Sequence, residues 1–242
     1  MAVKAEEKTP GSDRSAKRTK FDYFEDVVVL VGKEEARFVV HKAIVCRTSD
    51  FFRAACHGEW KEASEKTVRF PEVEANIFGI YMGFLYTGNI DMRLGHAADC
   101  STDAKPLKDL STEHHHQILD WAILAYALGE MLQDCNFRNA VVDAIKKLLG
   151  DFGHIGGVEN VTSACQRASR SSKLMKLFVD TWASAGYGGK PFKDWAKEMP
   201  IDFVFDMACA SVDEAAMSKQ ERSPYAREKC YYHDHKDGEK CK

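Results

Sequence analysis

The hydrophobic and polar positions along the chain divide it into a strand-containing start and a helical remainder. Val27 to Val31 are all aliphatic, which is typical of a buried strand, and Ala36 to Val40 form a second β-rich run after a polar turn. These two runs predict a β-hairpin. Thr67 to Phe70 alternate polar and apolar side chains, which predicts a short third strand that ends at Pro71.

Amphipathic stretches after the hairpin predict helices that pack behind the sheet. Ser49 and Ser111 are suitable N-caps, Gly88 follows the end of one predicted helix, and Gly150 is a suitable C-cap. Apolar residues recur every three or four positions, as in helices that bury one face. These faces are Phe51 to Cys56, Ile77 to Leu85, Ile118 to Leu128 and Phe137 to Leu148. Phe84 and Tyr86 are predicted to lie in the core.

Breaks in these patterns predict four regions. Residues 1–20 lack apolar side chains that could order them and are predicted to be a disordered tail. Residues 21–150 form one α+β unit with a polar insertion at 89–110, and a glycine-rich segment at 150–157 is the predicted boundary. Residues 151–220 are predicted to be helical, and 221–242 to be a charged, loosely held tail with cysteine and histidine residues.

Composition predicts an intracellular protein, in the nucleus, the cytoplasm or both. The net charge of −3 provides no general attraction to nucleic acid, so direct nucleic-acid binding is not expected. No apolar run is long enough for a membrane span, and the N-terminus lacks the pattern of a signal peptide. The cysteines are therefore expected to be reduced. The basic run from Lys17 to Lys20 has two interpretations, a nuclear import signal or a solvated tail.

The usual catalytic motifs are missing, which predicts a non-enzymatic protein. Gly189-Lys190 continues into Pro191 and so does not complete a phosphate-binding loop, and G-x-S-x-G and H-E-x-x-H do not occur. Asp151-Phe152-Gly153 matches the magnesium-binding tripeptide of kinases, but the other kinase motifs do not accompany it.

One cluster near the C-terminus has the residue types of a metal site. Cys230, His233, His235 and Cys241 would supply two thiolates and two imidazoles, which suits a structural zinc ion. Their spacing is not that of a standard zinc finger. Two interpretations follow: a zinc site, or a flexible tail without a metal, and the spacing favours the tail.

Several short sequences, taken in order from Asp26 to Gly150, resemble the BTB (POZ) domain. They are Asp26 to Val31, Phe38 to Val45, Ser49 to Ala55, Phe70-Pro71-Glu72, Phe84 to Gly88, and Leu124 to Gly129. The resemblance implies a BTB/POZ fold, with a small sheet from a β-hairpin and short strands packed by helical hairpins. An all-α C-terminal region would follow, an arrangement similar to the fungal branch of the family.

The resemblance also implies roles for residues at the corner where the hairpin leads into the first helices. His41 would be a buried, hydrogen-bonded core residue. Asp26 and Lys42 would lie close together, in a charged groove that transcription-regulating members use to bind a partner. Alternatively, Asp26 only caps the hairpin and Lys42 is solvated.

Protein partners are the expected ligands, and two functions are open. The first is an adaptor that recruits a partner to a cullin ubiquitin ligase; the second is a scaffold or transcription-linked homo-oligomer without a ligase role. The sequence departs from the family in two respects. Residues 1–20 cannot supply the amphipathic helix of many dimeric members, and Ile90-Asp91-Met92 lacks the glutamate found in cullin-binding members.

Overall fold

The computed structural model of the chain describes residues 25–57, 66–92, 111–152, 156–185, 190–213, 218, 221 and 223–235. The strands are β1 (Asp26–Val31), β2 (Ala36–His41) and β3 (Thr67–Phe70). The first helices are α1 (Lys42–Thr48), α2 (Asp50–His57), α3 (Ala75–Thr87), α4 (Thr112–Met131) and α5 (Cys135–Phe152). They are followed by α6 (Val158–Arg167), α7 (Lys173–Ser184), α8 (Lys190–Glu198) and α9 (Ile201–Asp213). Two 3₁₀ turns, Pro224–Ala226 and Lys229–Tyr232, come last.

Several sequence predictions concern residues outside these ranges. They are the disordered tail at 1–20 with its basic run, the insertion beyond Met92, and the fourth candidate metal ligand, Cys241.

The three strands form one sheet in the order β2-β1-β3. The predicted hairpin is confirmed, with Val27 opposite Val40 in the antiparallel β1–β2 pair. β3 runs parallel to β1 and places Val68 opposite Val29. Gly32 closes the hairpin with a φ of +76°, a conformation that glycine adopts without steric cost. Alternate residues of β1 are buried, as expected for a sheet with one face on the core.

Ser49 confirms the predicted N-cap of α2 and also makes a long-range contact. Its Oγ accepts a hydrogen bond from the backbone N–H of Phe52 at 3.1 Å. The same hydroxyl donates to the carbonyl oxygen of Leu132 at 2.7 Å, and Ser49 is fully buried. The start of α2 is therefore fastened to the end of α4.

Helix α3 confirms the predicted apolar stretch, with corrections at two residues. Ile77, Phe78, Ile80, Tyr81 and Leu85 are buried, and the left-handed Gly88 ends the helix. Phe84 is half-buried, with its ring 5.2 Å from that of Phe137. Tyr86, predicted to lie in the core, is 46% exposed because the buried face runs through Phe78, Tyr81 and Leu85, and the next position turns about 100° away.

Helices α4 and α5 pack against each other along their lengths, and α4 also packs on α3. Ser111 confirms its predicted role, because its side chain accepts the N–H of His114. The prediction that Gly150 is the C-cap of α5 is wrong, because the helix continues to Phe152. A Cβ on Gly150 would lie 3.4 Å from Cδ1 of Tyr225, so this glycine is a packing position against the later chain.

The C-terminal helices pack directly on the first part of the chain. Helix α6 lies on α4, and α7 contacts α5, α6 and α9. The side chain of Asn160 accepts the N–H of Gly157 at 2.9 Å and donates to the carbonyl of His116 at 3.0 Å. Buried apolar residues on both sides of the glycine-rich segment form one core cluster.

Residues 223–235 are docked, which corrects the prediction of a loosely held tail for this segment. Tyr232 is 1% exposed, and its hydroxyl donates to Oδ2 of Asp180 in α7 at 2.9 Å. The sequence did not indicate this because the segment is charged and carries no helical repeat. Within the described ranges, none of the helices combines the length and the apolarity that crossing a bilayer requires.

Candidate interaction site and candidate metal cluster

The corner between β2 and α1 is held by backbone and side-chain contacts from three segments. The N–H of Lys42 donates to the carbonyl oxygen of Glu25 at 2.9 Å. The N–H of His41 donates to the hydroxyl of Tyr86 at 3.3 Å, and Nδ1 of His41 lies 2.8 Å from the same hydroxyl. His41 is half-buried, so it is a hydrogen-bonded residue at the rim rather than a core residue.

The charged pair at this corner involves a different acid from the predicted one. Nζ of Lys42 lies 2.8 Å from Oε2 of Glu25, the residue before Asp26. This hydrogen bond raises the pKa of Lys42 above its usual value, against the opposing effect of desolvation. Asp26 is exposed, and its backbone lies opposite that of His41 in the β1–β2 register. Asp26 and Lys42 nevertheless line the same small cleft.

Two thiols lie beside this charged pair. Cys56 lines the cleft with Lys42 and Lys66. A hydrogen bond between Cys46 and Cys56 raises the pKa of Cys46 and lowers that of Cys56, and the charge of Lys42 lowers the pKa of Cys56 further. The cleft therefore combines cationic, anionic and sulfur-containing groups within a small area.

Exposed apolar side chains adjoin the charges. Val39 is 40% exposed and lies on the same side of β2 as His41, two residues away, while Tyr86 contacts His41 directly. We define the corner surface as Glu25, Val39, His41, Lys42 and Tyr86. A mixture of exposed apolar, aromatic and charged groups is suited to binding another protein.

Helix α9 carries a second exposed apolar face, which we call the α9 stripe. It consists of Ile201, Phe205 and Val212, which are 78%, 63% and 74% exposed. Their spacing places them along one side of the helix.

A buried polar cluster was not predicted from the sequence. Asp134, in the turn between α4 and α5, is fully buried and accepts hydrogen bonds from the Thr48 hydroxyl at 2.6 Å and the Tyr81 hydroxyl at 3.1 Å. Its Oδ1 also accepts the N–H of Phe137 at 3.0 Å. An aspartate just before a predicted helix is a typical N-cap signal, but its distant partners leave no local pattern.

Three of the four sequence-predicted metal ligands come together. Donor atoms of Cys230, His233 and His235 lie within 4.8 Å of one another. His233 is 4% exposed, and its Nε2 is 2.9 Å from Oδ1 of Asp143 in α5. Cys230 is half-buried and His235 is exposed. Cys241 lies outside the described residues.

The first part of the chain matches a known protein family. The family model of the BTB/POZ domain matches residues 17–122. TD and POZ domain-containing protein 3 of Mus musculus is 34% identical over 86 residues, which are 36% of this chain and 22% of that protein. The Arabidopsis thaliana Arm repeat protein interacting with ABF2 is 33% identical over 67 residues, 28% of this chain and 9% of that protein.

A third relative, Kelch-like protein 26 of Danio rerio, is 33% identical over 78 residues, 32% of this chain and 12% of that protein. The matched part of the chain therefore spans less than a quarter of the length of each of these relatives.

Proposed function

Residues 17–122 form a BTB/POZ domain, and on that premise we propose that the protein is a non-enzymatic adaptor that brings a protein partner to a cullin ubiquitin ligase. The observation that carries the proposal is the corner surface on this domain. There, the Lys42–Glu25 ion pair directly follows His41 in the chain, and His41 is bonded to the exposed Tyr86 and shares one side of β2 with the exposed Val39.

The physical properties of the corner surface support a protein ligand. An exposed aromatic ring provides contact area at low conformational cost, and charged groups at a rim favour correctly oriented encounters. The surface is also preorganised, since the hydroxyl of Tyr86 is bonded to both the backbone and the ring of His41. Asp26, which lines the neighbouring cleft, extends the charged area.

A binding experiment with matched variants tests the proposal. The purified chain would be titrated with a cullin N-terminal domain by calorimetry, using wild type, Val39→Asp and Val212→Asp. Both substitutions place a carboxylate on an exposed valine, the first on the corner surface and the second on the α9 stripe. We expect Val39→Asp to raise Kd by at least about tenfold, which is about 1.4 kcal/mol, and Val212→Asp to leave it unchanged.

Two results would contradict this proposal in different ways. Lack of cullin binding by the folded wild-type chain would reject the ligase role. Loss of cullin binding in Val212→Asp alone would show that the cullin binds the α9 stripe instead of the corner surface.

The second candidate function is a scaffold or transcription-linked oligomer without a ligase role, in the nucleus, the cytoplasm or both. One observation favours it. Cullin-binding members carry a hydrophobic-x-Glu motif in the segment that holds Met92 here, and Met92 is only 7% exposed, so its side chain is not available to a partner. The basic run from Lys17 to Lys20 also agrees with a nuclear role. Light scattering over a concentration series, read together with the cullin titration, distinguishes the two functions, because a scaffold of this kind should self-associate and show no cullin binding.

A further inference from the structure

We propose that Cys230, His233 and His235 bind a zinc ion that fixes the conformation of residues 230–235 where this segment packs on helices α5 and α7. The three side chains come from six consecutive residues, and their donor atoms lie within 4.8 Å of one another. One thiolate and two imidazoles suit zinc, whereas magnesium and calcium prefer oxygen ligands. This site is separate from the corner surface and does not depend on the proposed adaptor function.

The dimensions of the cluster are close to those of an occupied site. Bond lengths of about 2.3 Å to sulfur and 2.0–2.1 Å to nitrogen place the donors of a tetrahedral zinc ion about 3.3–3.6 Å apart. Donors that lie up to 4.8 Å apart therefore need to approach by at most about 1.2–1.5 Å to bind one ion. Cys230 would bind as the thiolate and release its proton.

His233 already has the supporting contact that zinc-bound histidines usually have. Its Nε2 is 2.9 Å from Oδ1 of Asp143, and the ring is buried. A metal-binding imidazole commonly donates its other N–H to a carboxylate, which fixes the tautomer and the orientation of the ring. With Nε2–H donating to Asp143, Nδ1 would be the nitrogen that binds the metal.

The backbone between the two histidines is fixed by a paired contact. The N–H of Asp234 donates to Oδ1 of Asn139, and Nδ2 of Asn139 donates to the carbonyl of Asp234, both at 2.8 Å. His233 is extended, and alternate side chains of an extended segment point to the same side. The two imidazole rings accordingly lie with their centroids 6.0 Å apart.

These contacts make the segment an ordered platform for the ligands. Arg138 forms an ion pair of 3.3 Å with Asp234, and Tyr232 is bonded to Asp180 on α7. A zinc ion would link Cys230, which precedes Tyr232, to the histidines that follow it. The chain on either side of this buried tyrosine would then be held by one ion. The proposal rests on these three described ligands; a tetrahedral ion has a fourth position.

The test is the zinc content of the untagged full chain after dialysis against zinc-free buffer. We expect about one zinc per chain for wild type and for the control Cys209→Ser, which changes an exposed cysteine on α9. Cys230→Ser and His235→Ala should each retain less than about 0.2 zinc per chain. Asp143→Asn, which changes a positioning residue, should weaken zinc affinity by about 10–100-fold in competition with a chelating dye.

Cobalt substitution keeps the test independent of whether a variant folds. Addition of Co²⁺ to metal-free wild type should produce the visible spectrum of a tetrahedral site together with a thiolate-to-cobalt charge-transfer band. The proposal is overturned if wild type retains less than about 0.2 zinc per chain and gives no such spectrum. It is also overturned if Cys230→Ser and His235→Ala bind zinc as wild type does.

Discussion

At the residue scale, Asp134 is a buried polar group on which three helices converge. It accepts hydrogen bonds from Thr48 in α1, Tyr81 in α3 and the first turn of α5. A buried carboxylate is costly unless hydrogen bonds replace its hydration, and these three donors provide that replacement. Burial, reinforced by the charge of Asp134, raises the pKa of Tyr81, so its hydroxyl remains a donor at neutral pH.

Replacing this carboxylate should destabilise the whole chain. Asp134→Ala leaves the Tyr81 hydroxyl and the Phe137 N–H without their acceptor, at about 1–3 kcal/mol for each buried group. We therefore expect a loss of about 2–6 kcal/mol in the free energy of unfolding, measured by urea denaturation. Asp151→Ala, at an exposed aspartate, serves as the control. An Asp134→Ala protein as stable as that control would show that the network contributes little.

Single-residue roles were predictable where the partner is local. Ser49 and Ser111 were identified as N-caps because the N–H groups they accept lie three residues away. The partners of Asp134 are 53 and 86 residues away in the sequence, and no periodicity reveals such pairs. Tyr86 was wrongly predicted to be buried. It follows an apolar helix in the sequence, and nothing in the sequence shows that it instead lies at the surface beside His41.

At the element scale, helix α3 is held mainly by a cluster of aromatic rings. The ring of Phe78 lies 4.9 Å from Phe38 on β2, 6.2 Å from Phe70 on β3 and 5.8 Å from Tyr81. Phe78 is fully buried, whereas Phe84 is half-buried. The helix therefore contacts the sheet through its first half.

Two matched truncations on this helix should differ in cost. Phe78→Ala removes a fully buried ring and should cost about 3–5 kcal/mol. Phe84→Ala should cost less, about 1–3 kcal/mol, because part of this ring is in solvent in the folded protein. Chemical denaturation of the two variants side by side provides the measurement. An equal or larger cost for Phe84→Ala would place the anchor of the helix at its second half.

Most elements of the first half were predictable because their signals are periodic and their ends are marked by caps. The exception at α5 is informative. Gly150 has the composition of a C-cap, but Tyr225, 75 positions later, packs against it and the helix continues. A glycine that ends a helix and one that accommodates a neighbour look alike in a sequence.

At the scale of the whole molecule, one core extends through both the family-matched part and the later helices. Val161, Leu177 and Phe178 belong to the same buried cluster as Val29 and Ile118 of the matched part. The glycine-rich segment at 150–157 predicted a boundary because sequence patterns report chain flexibility. They do not report which helix faces meet on either side of such a segment.

This shared core predicts unfolding in a single transition. Far-UV circular dichroism follows all helices, whereas the tryptophan fluorescence of a Trp60→Phe/Trp121→Phe variant follows the later helices through Trp182 and Trp195. We expect the two probes to give coincident urea curves with the same midpoint. Separate midpoints would mean that the later helices fold as an independent unit.

The hydroxyls of Thr48 and Ser49 reach partners 86 and 83 residues further along the chain, which sets an order of assembly during protein synthesis. At about 5–20 residues per second, a ribosome takes roughly 4–17 seconds to make that stretch. Throughout that interval the nascent hairpin and its first two helices lack the turn that completes them. A polypeptide whose synthesis stops during this interval would have an incomplete core, with its aliphatic strands exposed. Quality-control chaperones should retain such products.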